Sequence, residues 1–124
     1  IEATPFLYDL DEDMYEVLGA VVKNTDVPDI DGGGADTLND KVFLLSVSEV
    51  DGGDSETEGT AYPYYAGGGN AGRKKQFNGS TSAWRLRTHS TSTAYSVRSV
   101  LTNGNINSSI ARGESGVAPA CCII

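Results

Sequence analysis

The sequence predicts an α+β domain: one or two N-terminal helices packed on a small, mostly antiparallel sheet, with much of the chain in loops. Three observations point there. Apolar residues near the front recur at helical spacing. Residues 84–124 alternate apolar and polar side chains around an Asn-Gly turn. The 124 residues include fifteen Gly and one Met, a loop-rich, strand-leaning composition. That length suits one domain, taken as 1–124, with 39% apolar and 21% charged residues.

In order along the chain, Thr4-Pro5 reads as a cap followed by proline at the first helical position. Leu7, Leu10, Met14, Val17, Leu18, Val21 and Val22 then form an apolar stripe that predicts core packing. Asp11, Glu12 and Asp13 suit the start of a second short helix, and residues 20–23 read equally well as a strand. Residues 24–40, with Gly32-Gly33-Gly34, read as a linker. Val42-Phe43-Leu44-Leu45 reads as a buried strand, and Ser46 with Glu49 as a capping box opening a helical turn. Residues 51–60 read as an acidic loop and residues 62–83 as irregular, with an Asn78-Gly79 turn. Arg73, Lys74 and Lys75 form a basic cluster suited to the acidic front half or to solvent.

Trp84 and Leu86 alternate with Arg85 and Arg87, and Tyr95, Val97 and Leu101 share one parity. Asn103-Gly104 predicts a hairpin turn, with both positions tolerating positive φ. Beyond it Ile106 and Ile110 oppose Asn105, Asn107 and Ser109 in parity. The apolar end from Gly116 to Ile124 predicts a terminal strand docked in the core. Adjacent Cys121 and Cys122 are expected there as small buried hydrophobes rather than as a disulfide or a metal site.

Charge is split. Residues 1–60 hold sixteen Asp/Glu against two Lys, and residues 61–124 one Glu against seven Lys/Arg, giving the net −8. The acidic half repels phosphate, so no nucleic-acid partner is expected. No apolar run approaches the ~20 residues that span a bilayer, so no membrane insertion is expected. Ile1 in place of Met reads as the start of a processed or trimmed piece of a longer chain.

Enzyme signatures do not assemble. His89 is the sole histidine, no G-x-S-x-G elbow exists, and neither glycine run leads into a Lys-Ser/Thr helix start. The carboxylates sit in loops or on one helix, where nothing raises a single pKa. No catalytic residue, metal or cofactor is expected. The acids Asp26, Asp29, Asp31 and Asp36, and Asp51, Asp54, Glu56 and Glu58, miss the spacing of an EF-hand and read as solvated loops, with calcium as the alternative.

Residues 88–112 stand apart. They hold ten Ser/Thr, three Asn, one Tyr, one His and two Arg, with no Lys, Glu, Gln, Met or Trp. Hydroxyl and amide groups for adaptable hydrogen bonding, with tyrosine for rigid contact, compose antibody paratopes. A merely solvent-facing polar sheet has the same composition.

Three segments carry a resemblance: Asp40-Lys41-Val42-Phe43-Leu44-Leu45-Ser46, Trp84-Arg85-Leu86-Arg87-Thr88, and Gly116-Val117-Ala118-Pro119-Ala120. Together they resemble an uncharacterised domain family of gut bacteria and their phages, with framework D-K-V-F-L-L-S, W-W-L-R-S and G-V-R-P-A. That family is similar to the variable proteins of diversity-generating retroelements, which have a C-type-lectin-like fold. In those proteins adenine mutagenesis turns Asn codons into a set that omits Lys, Glu, Gln, Met and Trp, the types missing from 88–112. Arg85 and Ala118 depart from the usual Trp and Arg. Family members also usually carry more sequence before the equivalent of Thr4.

The resemblance implies a C-type-lectin-like fold with 84–124 as the candidate variable region. Trp84, Leu86, Gly116, Val117 and Pro119 would be scaffold, and His89, Ser90, Thr91, Ser92, Tyr95, Arg98, Asn103, Asn105, Asn107 and Ser109 ligand contacts, with Tyr95, Arg98 and His89 as hot spots. The lectin motifs E-P-N and W-N-D are absent, so sugar binding does not follow from the fold. The expected function is a non-catalytic recognition module, homo-oligomeric, on a phage particle such as its tail fibre, binding a host surface protein or glycan beside other virion proteins. The bacterial cell surface is the alternative location. A structural virion decoration or fibre domain, and a calcium-dependent glycan binder, are the alternative functions.

Overall fold

The computed structural model describes residues 11–53, 56–91 and 93–124. The expected helix start at Thr4-Pro5, with Leu7 and Leu10, lies outside the described residues.

Helix α1 spans Glu12–Val17, capped by the Asp11 side chain, which accepts from the Asp13 amide. The chain then turns to strand at once, as β1 (Leu18–Gly19) and β2 (Val21–Asp26). The change from helical to strand period removes the long stripe. Leu18 is buried, but Met14, Val17 and Val22 are exposed and α1 buries no residue, which corrects the core expected there. The expected linker is likewise a hairpin: β2 pairs in register with β3 (Ala35–Asp40) from Val21↔Asp40 to Asp26↔Ala35. A 3₁₀ turn at Asp29–Asp31 and three positive-φ glycines, Gly32, Gly33 and Gly34, make its tip.

Only Val42–Phe43 of the expected buried strand forms β4. The capping box is present: Ser46 Oγ accepts from the Glu49 amide, Glu49 Oε2 accepts from the Ser46 amide, and α2 runs Val47–Asp51. After a 3₁₀ turn at Glu56–Glu58 comes α3 (Gly69–Arg73). The stretch expected to be irregular also holds a small hairpin, β5 (Lys75–Phe77) and β6 (Ser80–Ser82), around the Asn78-Gly79 turn.

Strands β7 (Trp84–His89), β8 (Ser96–Val100) and β9 (Ile106–Ile110) form an antiparallel sheet, with a register shift in β7 between Arg85 and His89. Of the Asn103-Gly104 pair only Gly104 takes a positive φ. Glycine is required there twice over, because a Cβ would also overlap the carbonyl of Asn70. The last strand, β10 (Ala120–Ile123), pairs with β1 through residues 122–123 and with β4 through 120–121. The terminal strand docks as expected, but Cys121, Ile123 and Ile124 are exposed and Cys122 is half-buried. β10 lies between β1 and β4 in a three-stranded sheet, and its outer side chains reach solvent.

The core is Leu45, Val47, Val50, Tyr65, Trp84, Leu86 and Val100. The three sequence segments singled out above meet in this frame. The Arg87 amide donates to the Leu45 carbonyl (2.9 Å), Gly116 bridges Trp84, and Ala120 pairs with Phe43. The result is a small α+β domain with several antiparallel sheets.

Candidate recognition surface

Alternation along β8 and β9 sorts the candidate residues into two faces. Val97 pairs with Ser109 and Ser99 with Asn107, and His89 pairs with Val97 across β7. The Ala111 amide donates to the Tyr95 carbonyl (2.8 Å), which carries the ladder one residue further. Tyr95, Val97, Ser99, Asn107, Ser109 and His89 therefore share the outer face. Tyr95 is 65% exposed at its edge, Asn107 is exposed, His89, Val97 and Ser109 are half-buried, and Ser99 is buried beneath its neighbours at 1%.

The outer face is stiff. The side chain of Arg85, paired with Ser99, is buried and its guanidinium donates to the carbonyls of Ile110 and Gly113, tying β7 to the turn after β9. Ser99 and Ser109 share a hydrogen bond (2.6 Å), and Asn107 Oδ1 accepts from the Ser108 amide (2.8 Å).

The remaining candidates do not join them. Arg98 points to the opposite face, where it pairs with Ser108 and donates to its hydroxyl (3.3 Å). Tyr95 and Arg98 are thus not neighbours on one face, because they lie three positions apart along an alternating strand. Ser90 is 2% exposed and its hydroxyl accepts from Ser108, which removes it from any surface in this fold. Thr91 is exposed in the connection beside Tyr95, and Ser92 lies outside the described residues. Asn103 and Asn105 sit at the far end of the five-residue β8, roughly 15 Å from Tyr95 at ~3.3 Å per residue. Both are exposed, yet their side chains build the turn: Asn103 Oδ1 accepts from the Asn105 amide (3.0 Å), and Asn105 Oδ1 accepts from Asn70. Arg73 bolts the same turn to α3, donating to the Gly104 carbonyl (2.9 Å) and to Asp51 (2.5 Å). That last pair joins the basic cluster to the acidic half, as one reading of the sequence expected.

Behind the sheet lies a junction that composition did not reveal. Glu49, 2% exposed, meets Arg87 Nη1 at 2.5 Å and Lys23 Nζ at 2.5 Å, and accepts from Tyr62. Arg87 also donates to the carbonyls of Asn24, Leu44 and Glu58. Glu58, equally buried, accepts from the Asp26 amide and from the Thr88 hydroxyl, which itself accepts from the Val47 amide. Burial pushes the Glu49 carboxyl up, but its bonds to Arg87, Lys23 and the Ser46 amide outweigh that and hold it below its ordinary value. Burial pushes the Lys23 ammonium down, but its bonds to Glu49 and Tyr62 outweigh that and raise it. These groups face each other across β2, α2 and β7, so their bonds fasten those elements together. The sequence signal was the capping-box glutamate; that the same carboxylate also neutralises two cations depends on β2 and β7 arriving beside it.

Among the described residues no group of three or more His, Cys, Asp or Glu could hold a metal ion. No helix among them is long and apolar enough to cross a membrane. One groove, of about 660 Å³, lies away from the outer face between β5 and residues 114–118.

The family described as domain of unknown function (DUF6273) matches residues 3–124, and the chain belongs to that family. No curated protein matches the chain. No solved structure matches it either.

Proposed function

We propose that this DUF6273 chain is a non-catalytic recognition module whose outer β7–β9 face contacts a ligand on a bacterial cell surface, and that it is carried on a phage particle. The observation that supports this reading is the division of labour within one sheet. The two arginines of β7, Arg85 and Arg87, are bonded to protein carbonyls and to Glu49, whereas the outer face offers an exposed tyrosine, an amide, hydroxyls and one imidazole on a backbone held from both ends. A rigid aromatic with adaptable polar neighbours is the composition of a general binding surface, and it needs no chemistry on the ligand. On this reading the fold is C-type-lectin-like, with Tyr95 the principal anchor and Thr91, His89, Asn107 and Ser109 its surroundings. Modest affinity at one site suffices, since many copies on a particle gain on the order of 10²–10⁴ by avidity.

Sequencing the coding region across a natural population tests the proposal. Substitutions are expected to gather at positions 89, 91, 95, 107 and 109, while Glu49, Trp84, Leu86, Arg87 and Gly104 stay constant. An even spread of substitutions over all exposed positions contradicts it and favours a structural decoration domain.

A further inference from the structure

We infer that copies of this chain associate head to tail, the free edge of β3 in one copy docking into the groove beside β5 in the next. Four features of the molecule lead there. Among the described residues β3 pairs only with β2, and all six of its residues are exposed, so its outer edge presents backbone groups that no described strand pairs. Its Asp36, Leu38 and Asp40 share one face, with Leu38 53% exposed between two acids. Among the described residues β5 pairs only with β6, and Lys75, Gln76 and Phe77 all line the groove. Phe77 is 70% exposed there and Val117 47%.

Charge selects the partner. Acidic residues at both ends of Leu38 oppose pairing of β3 with β3, so a symmetric contact of two such edges is disfavoured. The same pattern complements β5: placed antiparallel, Asp40 comes opposite Lys75 when Leu38 comes opposite Phe77. Lys74 adjoins this edge and is exposed, and Glu114 is the single acid among the groove-lining residues. The contrast extends to the whole chain, whose first 60 residues are acidic and whose remainder is basic. A contact between unlike patches is heterologous, and it closes into a ring or continues as a filament. The groove and the recognition face are separate, so association leaves the latter open.

Sedimentation velocity of the intact chain, at low and high salt, tests this. The wild type is expected to sediment as species larger than a monomer at low salt and to shift toward monomer at high salt. Asp36→Lys with Asp40→Lys, and separately Lys75→Glu, are each expected to weaken association about tenfold or more, the effect of like charges at a contact. Mixing the two variants is expected to restore a dimer, because one retains an intact groove and the other an intact β3 edge. Phe77→Asp, at an exposed side chain, is a second groove variant with the same expected loss, and circular dichroism melts confirm folding of all of them. A wild type that is monomeric at both salts, variants that associate as the wild type does, or a mixture that stays monomeric each overturns the inference.

Discussion

Strand β7 serves two regions of opposite character. On one side Arg87 and Thr88 enter a buried junction in which both carboxylates are bonded: Glu49 is paired with Arg87 and Lys23, and Glu58 accepts from Thr88 and the Asp26 amide. On the other, His89 joins Val97, Ser109, Asn107 and Tyr95 on a face of hydroxyl, amide and aromatic groups. The junction is costly to disturb, since removing one partner strands a buried ion. The exposed side chains of the outer face, Tyr95 and Asn107, are cheap to change, since neither supports a buried charge. The buried ion-pair junction and the polar outer face thereby meet in one strand of six residues.

Arg87→Ala breaks this contrast most severely. Its side chain is 9% exposed and bonds four different groups, so the expected loss is about 3–5 kcal/mol by urea denaturation. A loss under about 1 kcal/mol means the junction does not hold the sheet. Gly104→Ala tests the other anchor of the face, combining a left-handed backbone with an overlap against Asn70, and is expected to cost about 1–3 kcal/mol in the same assay.

The junction also sets a pH window. The folded Glu49 carboxyl lies below its ordinary 4.5, so its contribution is complete above that value and is lost as pH falls through the folded one. The folded Lys23 ammonium lies above its ordinary 10.5, so its contribution is complete below that value and is lost as pH rises through the folded one. Denaturation midpoints should therefore be flat between these limits and fall outside them, and Glu49→Gln should flatten the acid side. An acid limb unchanged in that variant assigns the effect to other carboxylates.

How far the sequence speaks differs between these regions for physical reasons. The β7–β9 sheet was legible because period-2 alternation and an Asn-Gly turn are local signals. So was the Ser46–Glu49 capping box, which depends on residues three apart. The β2–β3 hairpin was hidden because β3 is exposed throughout and holds Asp36, Asn39 and Asp40, types disfavoured in strands, and the glycines that make its tip resemble a linker. The junction was hidden because Lys23, Glu49, Glu58 and Arg87 meet only through tertiary packing. The separation of Arg98 from Tyr95 was in the sequence all along, since residues three apart on a strand face opposite ways. Ser90 was concealed by type: serine is equally at home on a surface or bonded inside, and here it is inside.

Binding to whole bacterial cells tests the central proposal most directly. Labelled wild-type protein and a Tyr95→Ala, Asn107→Ala double variant are compared by flow cytometry over a panel of strains. Both side chains are exposed, so the variant should melt with the wild type, its stability within about 0.5 kcal/mol. The proposal predicts that wild type stains a subset of strains and that the folded variant loses that staining. Equal staining by both proteins, or none by the wild type on any strain, contradicts it.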